Sequence, residues 1–504
     1  MKNGLHWIDF LIIAIYALGM LALGWYYSRK RATADEYFTG GRSMSPILIG
    51  ISLFATLLST ISYLSKPGEI VKNGPYILTA VVSIPIAFYV VGYWLIPVFM
   101  KFRLTSAYEL LEKKLGLSSR LIGASMFILL RLMWMSVLLN FAAGALLVMF
   151  ELDDRWLFPL TALIGTIALV YSSMGGLRAV VVTDTIQFVL LLGGAILVVV
   201  FVSMRLGGLD WFPTEWHPDW KKQPVFSLDP YLRLTVLGVI LTQTLWSICT
   251  AGGDQTAIQR YMATSDAKQA RRAYLVNSIV TLVASLVLAL VGLSLMAYFA
   301  KFPGALPEGF TVNGSADKLF PLFISHHLPV GLSGFVVAGM FAAAMSSVDS
   351  GVNSISAVVT TDFIQRFRPK VDKESMLTAK LVAVSVGVIV IFGSSLIEHV
   401  PGNLLAVSKR ATDLLVTPLF TLFFFALFVR FSTAAGANTG AICGFLSAAL
   451  IAFWNPLFDQ ENSLSFTWIS PVALTVGITV GCIVSRLTYR KTASASPELE
   501  FKDE

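Results

Sequence analysis

Charge is scarce in this sequence. Asp, Glu, Lys and Arg make up 13% of its 504 residues, where soluble domains carry about 25%. Hydrophobic residues make up 56%, and the mean hydropathy is +0.74. A soluble globular protein is excluded. The net charge of +7 is then no pointer to nucleic acid, because the basic residues sit in short loops between apolar runs, where they set membrane topology. Cysteine is scarce as well. Cys249, Cys443 and Cys482 all lie in apolar segments, without metal-type spacing or a disulfide framework. The five histidines (His6, His217, His326, His327, His399) sit in loops or near an outer face. No His-Glu-x-x-His helix accompanies them, so an enzyme is not expected. No ring-forming filter motif points to a channel.

What the chain has is long apolar runs. Thirteen read as membrane spans: about Trp7–Tyr27, Met44–Ile70, Tyr76–Phe99, Leu121–Phe150, Leu157–Ser173, Ala179–Met204, Leu232–Gly252, Tyr274–Phe299, Gly331–Phe363, Leu377–Ile397, Leu404–Val429, Ala434–Trp454 and Ile469–Leu487. The first is too long for a signal-peptide core and reads as a retained helix. Basic residues test the count. With Arg29–Arg31 inside, the other inside loops hold Lys101/Arg103/Lys113/Lys114, Arg178, Arg260/Lys268/Arg271/Arg272, Arg366/Arg368/Lys370, Arg430 and Arg486/Arg490. The outside loops hold Glu151/Asp153/Asp154, Glu308, Glu398 and Asp459/Glu461. The N-terminus is therefore expected outside and the C-terminus inside.

Residues 1–43 hold an extra N-terminal helix, 44–206 a set of five spans, 207–231 an external loop, 232–430 a second set of five, 431–488 two C-terminal spans, and 489–504 a polar cytoplasmic tail expected to be disordered. Trp211, Trp216 and Trp220 in the external loop suit a membrane interface. An odd number of spans per set inverts the second set relative to the first. Each set opens with an interrupted span, at Lys66-Pro67-Gly68 and at Gly252-Gly253, where Pro and Gly break the helical ladder. Paired interruptions in an inverted repeat point to a transporter with its site near the midplane.

The stretch Val336–Thr361 carries a polar stripe. Ser346, Asp349, Ser350, Asn353 and Ser354 share one helical face. Small residues nearby (Gly339, Ala342, Ala343, Ala344, Gly351) allow neighbouring backbones to come close. A carboxylate on a membrane helix costs about 2.5–3.5 kcal/mol, so Asp349 needs an inward position. The stripe is either hydroxyl glue between helices or an oxygen-rich face for a hard cation such as Na⁺.

Four stretches carry a resemblance to a known family: GISLFATLLSTISYLSKPGEIVKNG (Gly50–Gly74), YSSMGGLRAVVVTDTIQ (Tyr171–Gln187), GGDQTAIQRYMATSDAKQARRA (Gly252–Ala273) and FAAAMSSVDSGVNSISAVVTTDF (Phe341–Phe363). They resemble the sodium:solute symporter family, which includes sugar, sialic acid, proline and monocarboxylate symporters. The resemblance implies an all-α, LeuT-like 5+5 inverted repeat with discontinuous core helices 1 and 6. It implies alternating access in a cell membrane (a bacterial inner membrane), a protomer that works as a monomer, and Na⁺ as coupling ion. Carried over residue by residue, the conserved Na⁺ site takes carbonyls of Ala55, Leu58 and Ala343 and hydroxyls of Ser346 and Ser347. A second Na⁺ site, as in sialic acid symporters, would use Asp184, Ser346, Asp349 and Ser350, with Asp349 standing where that pattern has serine. Proton coupling through Asp184 and Asp349 is the alternative.

The resemblance also places the solute site: Ser59, Ser62, Ser65 and Lys66 on core helix 1, Phe88 on the second, Arg131 and Trp134 on the third, and Thr250, Gln255 and Thr256 on the sixth. The sugar pattern has Asn-Gln-Tyr where this chain has Asp254-Gln255-Thr256. The sialic acid pattern has an arginine where this chain has Trp134, with Arg131 one turn away. Lys66 pairs with Glu69 at i, i+3 or meets a solute carboxylate; Arg131 bonds backbone carbonyls or does the same. An acidic sugar or small organic acid is favoured, with a neutral sugar or polyol as the alternative.

Overall fold

The computed structural model describes residues 4–29, 34–102, 104–368, 376–397, 404–458 and 463–489. His399, Glu398, Arg103, Lys370, Asp459, Glu461 and the tail from residue 490 lie outside them. No strand occurs among the described residues. The main helices are α1 (Trp7–Ser28), α2 (Pro46–Leu57), α3 (Thr60–Asn73), α4 (Pro75–Phe102, with short 3₁₀ and π stretches), α5 (Leu117–Phe150), α6 (Leu157–Leu206), α7 (Val236–Gly253), α8 (Gln255–Met262), α9 (Ala267–Lys301), α10 (Leu332–Val358), α11 (Met376–Ser394), α12 (Leu404–Phe428), α13 (Ala434–Ala452) and α14 (Ile469–Thr488). Among the described residues eleven helices are long and apolar enough to cross a membrane, or twelve when the bent pair α2–α3 counts as one span.

Burial orders these helices. The α10 span is 89% buried inside the protein, against 22% for α1 and 33% for the spans of α13 and α14. The helix with the polar stripe is thus the axis of the core. The first and last helices present apolar surface outward, as lipid-facing helices do.

Three breaks shape the core, and two differ from the positions expected. α2 and α3 meet at a 67° bend, but at Leu58–Ser59, not at Lys66-Pro67-Gly68. Leu58 (φ −85°, ψ 112°) and Ser59 (φ −98°, ψ 166°) are extended, and Ser59 Oγ accepts the Ser62 N–H. A serine N-cap starts a new helix there. Pro67 stays inside α3, losing one ladder bond without ending the helix. The second break is at Asp254 (φ −89°, ψ 119°), whose side chain caps α8. Gly252 and Gly253 remain in α7, where they admit Phe420 of α12; a Cβ on Gly252 would meet its ring at 2.6 Å. The third lies inside α6. A straight helix of 50 residues would run about 75 Å, far beyond a hydrocarbon core of about 30 Å. Gly176 (φ 62°, ψ −170°) breaks it. A side chain there would be strained by φ and would strike Tyr37.

α9 lies against both halves of the bent span. A Cβ on Gly50 of α2 would meet the Ala273 carbonyl at 2.5 Å, and one on Gly292 of α9 would meet the Pro67 carbonyl at 2.6 Å. Two expected loops are more structured than the sequence suggested. Trp220 is buried, and its Nε1 donates to Val71 O at 3.1 Å, so it closes the end of α3 instead of facing lipid. The stretch before His327 is a helix (Ala316–His326) that buries Leu319, Phe320 and Phe323. His326 meets Glu151 at 2.7 Å.

Candidate ion and solute sites

The last turn of α2 has carbonyls with no N–H of its own helix to accept. Phe54 O takes the final one, from Leu58 N at 2.8 Å. Ala55, Thr56, Leu57 and Leu58 follow, beside α10. Ser347 Oγ donates to Thr56 O at 3.0 Å, and Thr60 Oγ1 donates to Met340 O at 3.1 Å. Ala55, Leu58, Ala343, Ser346 and Ser347 are all buried. Freed carbonyls next to serine hydroxyls are the neutral oxygen donors that a hard cation accepts. Among the described residues no group of three or more His, Cys, Asp and Glu could hold a metal.

The four residues of the second ion set fall into two pairs, Ser346 with Asp184 and Ser350 with Asp349. Asp184 accepts from Ser346 Oγ at 2.6 Å and Ser52 Oγ at 2.5 Å, and pairs with Arg260 at 3.1 Å. Arg260 was expected in a basic loop. It lies in α8, wholly buried, and its three nitrogens donate to Ser52, Thr256 O, Thr56 and Ser350 as well. Such saturation is what a buried ion pair needs to persist. Arg178 plays no part in it. Asp349 is held from two sides: Tyr171 Oη donates to its Oδ2 at 2.7 Å and Ser350 Oγ to its Oδ1 at 3.3 Å, while Gln187 Nε2 donates to both Tyr171 and Tyr16. The guanidinium of Arg260 thus stands between Asp184 and Ser350.

A cavity of about 200 Å³ opens between the α2–α3 bend, α4, α7, α9 and α12. Ser62, Ser65, Lys66, Trp134 and Thr250 line it, as do Lys409, Gln243 and Trp246, which the sequence did not single out. Ser65, Thr250 and Tyr261 also line it, and their hydroxyls are buried without a hydrogen-bond partner. The other expected solute residues do not line it. Ser59 caps α3. Phe88 stacks on Tyr274 with ring centroids 6.4 Å apart. Gln255 holds Thr105 O and Ala107 N at 2.8 Å each. Thr256 gives its carbonyl to Arg260.

Both expected roles of the basic residues change. Arg131 is paired with Asp254 at the α7–α8 break, Nε to Oδ1 at 3.3 Å; it is not bonded to backbone and not free for a solute. Glu69 is held by both arms of Arg233, at 2.6 and 2.8 Å, so the Lys66–Glu69 pair does not form. Lys66 Nζ donates to Ser285 Oγ at 3.1 Å instead.

The sodium:solute symporter family model matches residues 37–444, most of the chain. The chain belongs to the sodium:solute symporter family. This places it among symporters of the cell membrane and not among enzymes. A sodium/sialic acid symporter of Proteus mirabilis is 29% identical over 89% of this chain and 90% of its own length. A sodium-dependent multivitamin transporter of Oryctolagus cuniculus is 26% identical over 89% and 70%. The fold superposes on the substrate-bound outward-open state of a Na⁺-coupled sialic acid symporter with a TM-score of 0.79 and 27% identity, over 95% of this chain and 98% of that one. A nucleobase-cation-symport-1 family transporter shares the fold at a TM-score of 0.53 and 13% identity. In this chain the α2–α3 bend, the α7–α8 break and the polar face of α10 form one buried centre.

Proposed function

We propose that the chain is a Na⁺-coupled symporter that imports a small polar organic acid, an acidic sugar or related carboxylate, by alternating access. The observation that carries this is the meeting of Ser347 with the carbonyl-rich end of α2, where its hydroxyl donates to Thr56 O, next to a polar cavity that touches the α2–α3 bend and α7. Na⁺ bound by Ala55, Leu58, Ala343, Ser346 and Ser347 would tie the first broken helix to α10. That tie orders the cavity for solute, and loading of both permits closure. The membrane potential adds about 2.3 kcal/mol per charge per 100 mV to inward movement.

The finer architecture follows the same reading. Counting α6 as two spans at Gly176 and α2–α3 as one gives thirteen spans, ten of them in two inverted sets, with the N-terminus outside and the C-terminus inside. Segments 1–43, 44–206, 207–231, 232–430, 431–488 and 489–504 divide the chain accordingly. Each protomer carries both sites, so a monomer suffices. A second Na⁺ at Asp184, Ser346, Asp349 and Ser350 would have to displace Arg260, which already neutralises Asp184.

Thermal stability of the purified protein tests it, because a ligand of the folded state raises stability by mass action. N-acetylneuraminate, lactate, pyruvate and galactose are each added in Na⁺ and in K⁺. Na⁺ alone is expected to stabilise the parent and not Ser346→Ala/Ser347→Ala, and an acid is expected to add a shift in Na⁺ only. Equal stability in Na⁺ and K⁺ overturns the reading. A shift with galactose alone supports a neutral sugar instead. Loss of coupling in Asp349→Asn with the serines intact supports protons.

A further inference from the structure

Two positive charges line the solute cavity, and neither has an acidic partner. Lys66 Nζ reaches Ser285 Oγ. Lys409 Nζ donates to Gln243 Oε1 at 3.2 Å and stands 5.2 Å over the ring of Trp246. No carboxylate lies within 4.0 Å of either among the described residues. The acids nearby are committed: Glu69 to Arg233, and Asp254 to Arg131. Asp413, one turn beyond Lys409, is wholly buried; its Oδ1 accepts the Thr412 hydroxyl at 3.1 Å and its Oδ2 has no hydrogen-bond partner. Its single charge offsets one of the two ammonium groups, which leaves an excess of positive charge at the cavity. Cations inside membrane spans are expensive and pair wherever they can. Two left facing one cavity, beside three unpartnered hydroxyls, mark a place completed by an anion.

We propose that Lys66 and Lys409 form a two-cation subsite for the carboxylate of an organic acid, with the body of that acid against Trp246. Solute charge is read here and not by Arg131. This rests on the proposed function and names how its site selects. The donors suit a carboxylate carrying hydroxyl or amide groups for Ser65 and Thr250. A neutral isostere would leave both ammonium groups unmatched.

Trp246 supplies the test. Its fluorescence in the full-length protein, in Na⁺, is isolated by difference from Trp246→Phe, and iodide is compared with acrylamide as quencher. Iodide is expected to quench this component roughly tenfold more steeply in the parent than in Lys66→Gln/Lys409→Gln, the low end of what a focused field gives. Acrylamide should quench both alike. Lys66→Arg/Lys409→Arg, which keeps the charge, should retain the iodide response and guards against misfolding. Lactate should protect from iodide, and lactamide should not. Iodide quenching that ignores the lysines overturns the subsite. So does lactate protection that is absent or matched by lactamide. The Na⁺ shift of the parent is recorded on the same samples. Its persistence beside a failed iodide test removes the subsite and leaves symport standing; its loss beside a positive iodide test does the reverse.

Discussion

Around Arg260 every nitrogen of a guanidinium is taken up by serine, threonine, backbone and carboxylate oxygens. Around Lys66, beyond the bend on α3, and Lys409 across on α12, each ammonium group has a single neutral hydrogen-bond partner, and hydroxyls of Ser65 and Thr250 have none. The first region is finished by the chain itself. The second is finished only by something that enters. A buried polar group costs free energy unless it is satisfied, so the contrast separates what holds the fold from what binds cargo.

The contrast breaks most sharply at the ion pair. Arg260→Ala leaves Asp184 buried and unpaired, and is expected to cost about 3–5 kcal/mol, read as a large drop in melting temperature. Asp184→Asn/Arg260→Met should recover much of it. Equal instability of the single and double variants would show that packing, not charge, is what Arg260 supplies. Lys409→Gln, on the cavity side, should leave the solute-free protein as stable as the parent or more so. A smaller effect sharpens the boundary between the regions. Tyr171→Phe removes the hydroxyl that donates to Asp349, an expected loss of about 1–3 kcal/mol. Asp349→Ser in that background should restore stability. No restoration would mean that Asp349 does not depend on Tyr171.

These residues show where reading the sequence stops. Spans were legible because hydropathy is local. The burial of the polar face that starts at Ser346 was legible because its period was. The first break was misplaced by about eight residues because Pro67 and Gly68 are the louder signal, while a serine cap at Ser59 is decided by Ser347 and α10, far along the chain. Arg260 read as loop because α8 is short and polar. The Arg131–Asp254 and Glu69–Arg233 pairs join residues more than a hundred positions apart, which no spacing rule reveals. Lys409 was hidden inside an ordinary apolar span.

The smallest expected effect is at the surface. Glu112 of the helix Tyr108–Leu115 accepts from Arg366 at 2.8 Å and Arg120 at 2.6 Å. Arg366, then Arg120, holds its carboxyl below the usual carboxylate range. A lowered value means the stabilisation is complete above the unfolded-state value of about 4.3 and fades as pH falls through the folded value. Exposed pairs are worth under about 1 kcal/mol. Glu112→Gln should therefore melt slightly below the parent at pH 7, and the gap should close at acid pH. A gap independent of pH would assign Glu112 to packing instead of charge.

The close approaches of α9 to Gly50 on one side of the bend and to Pro67 on the other act as a splint. With a backbone carbonyl seated where a methyl would not fit, neither half can swing without lifting off α9. The 67° elbow is thus braced on both sides by one helix. Under the proposed alternating access, α2, α3 and α9 are expected to move together as one lever.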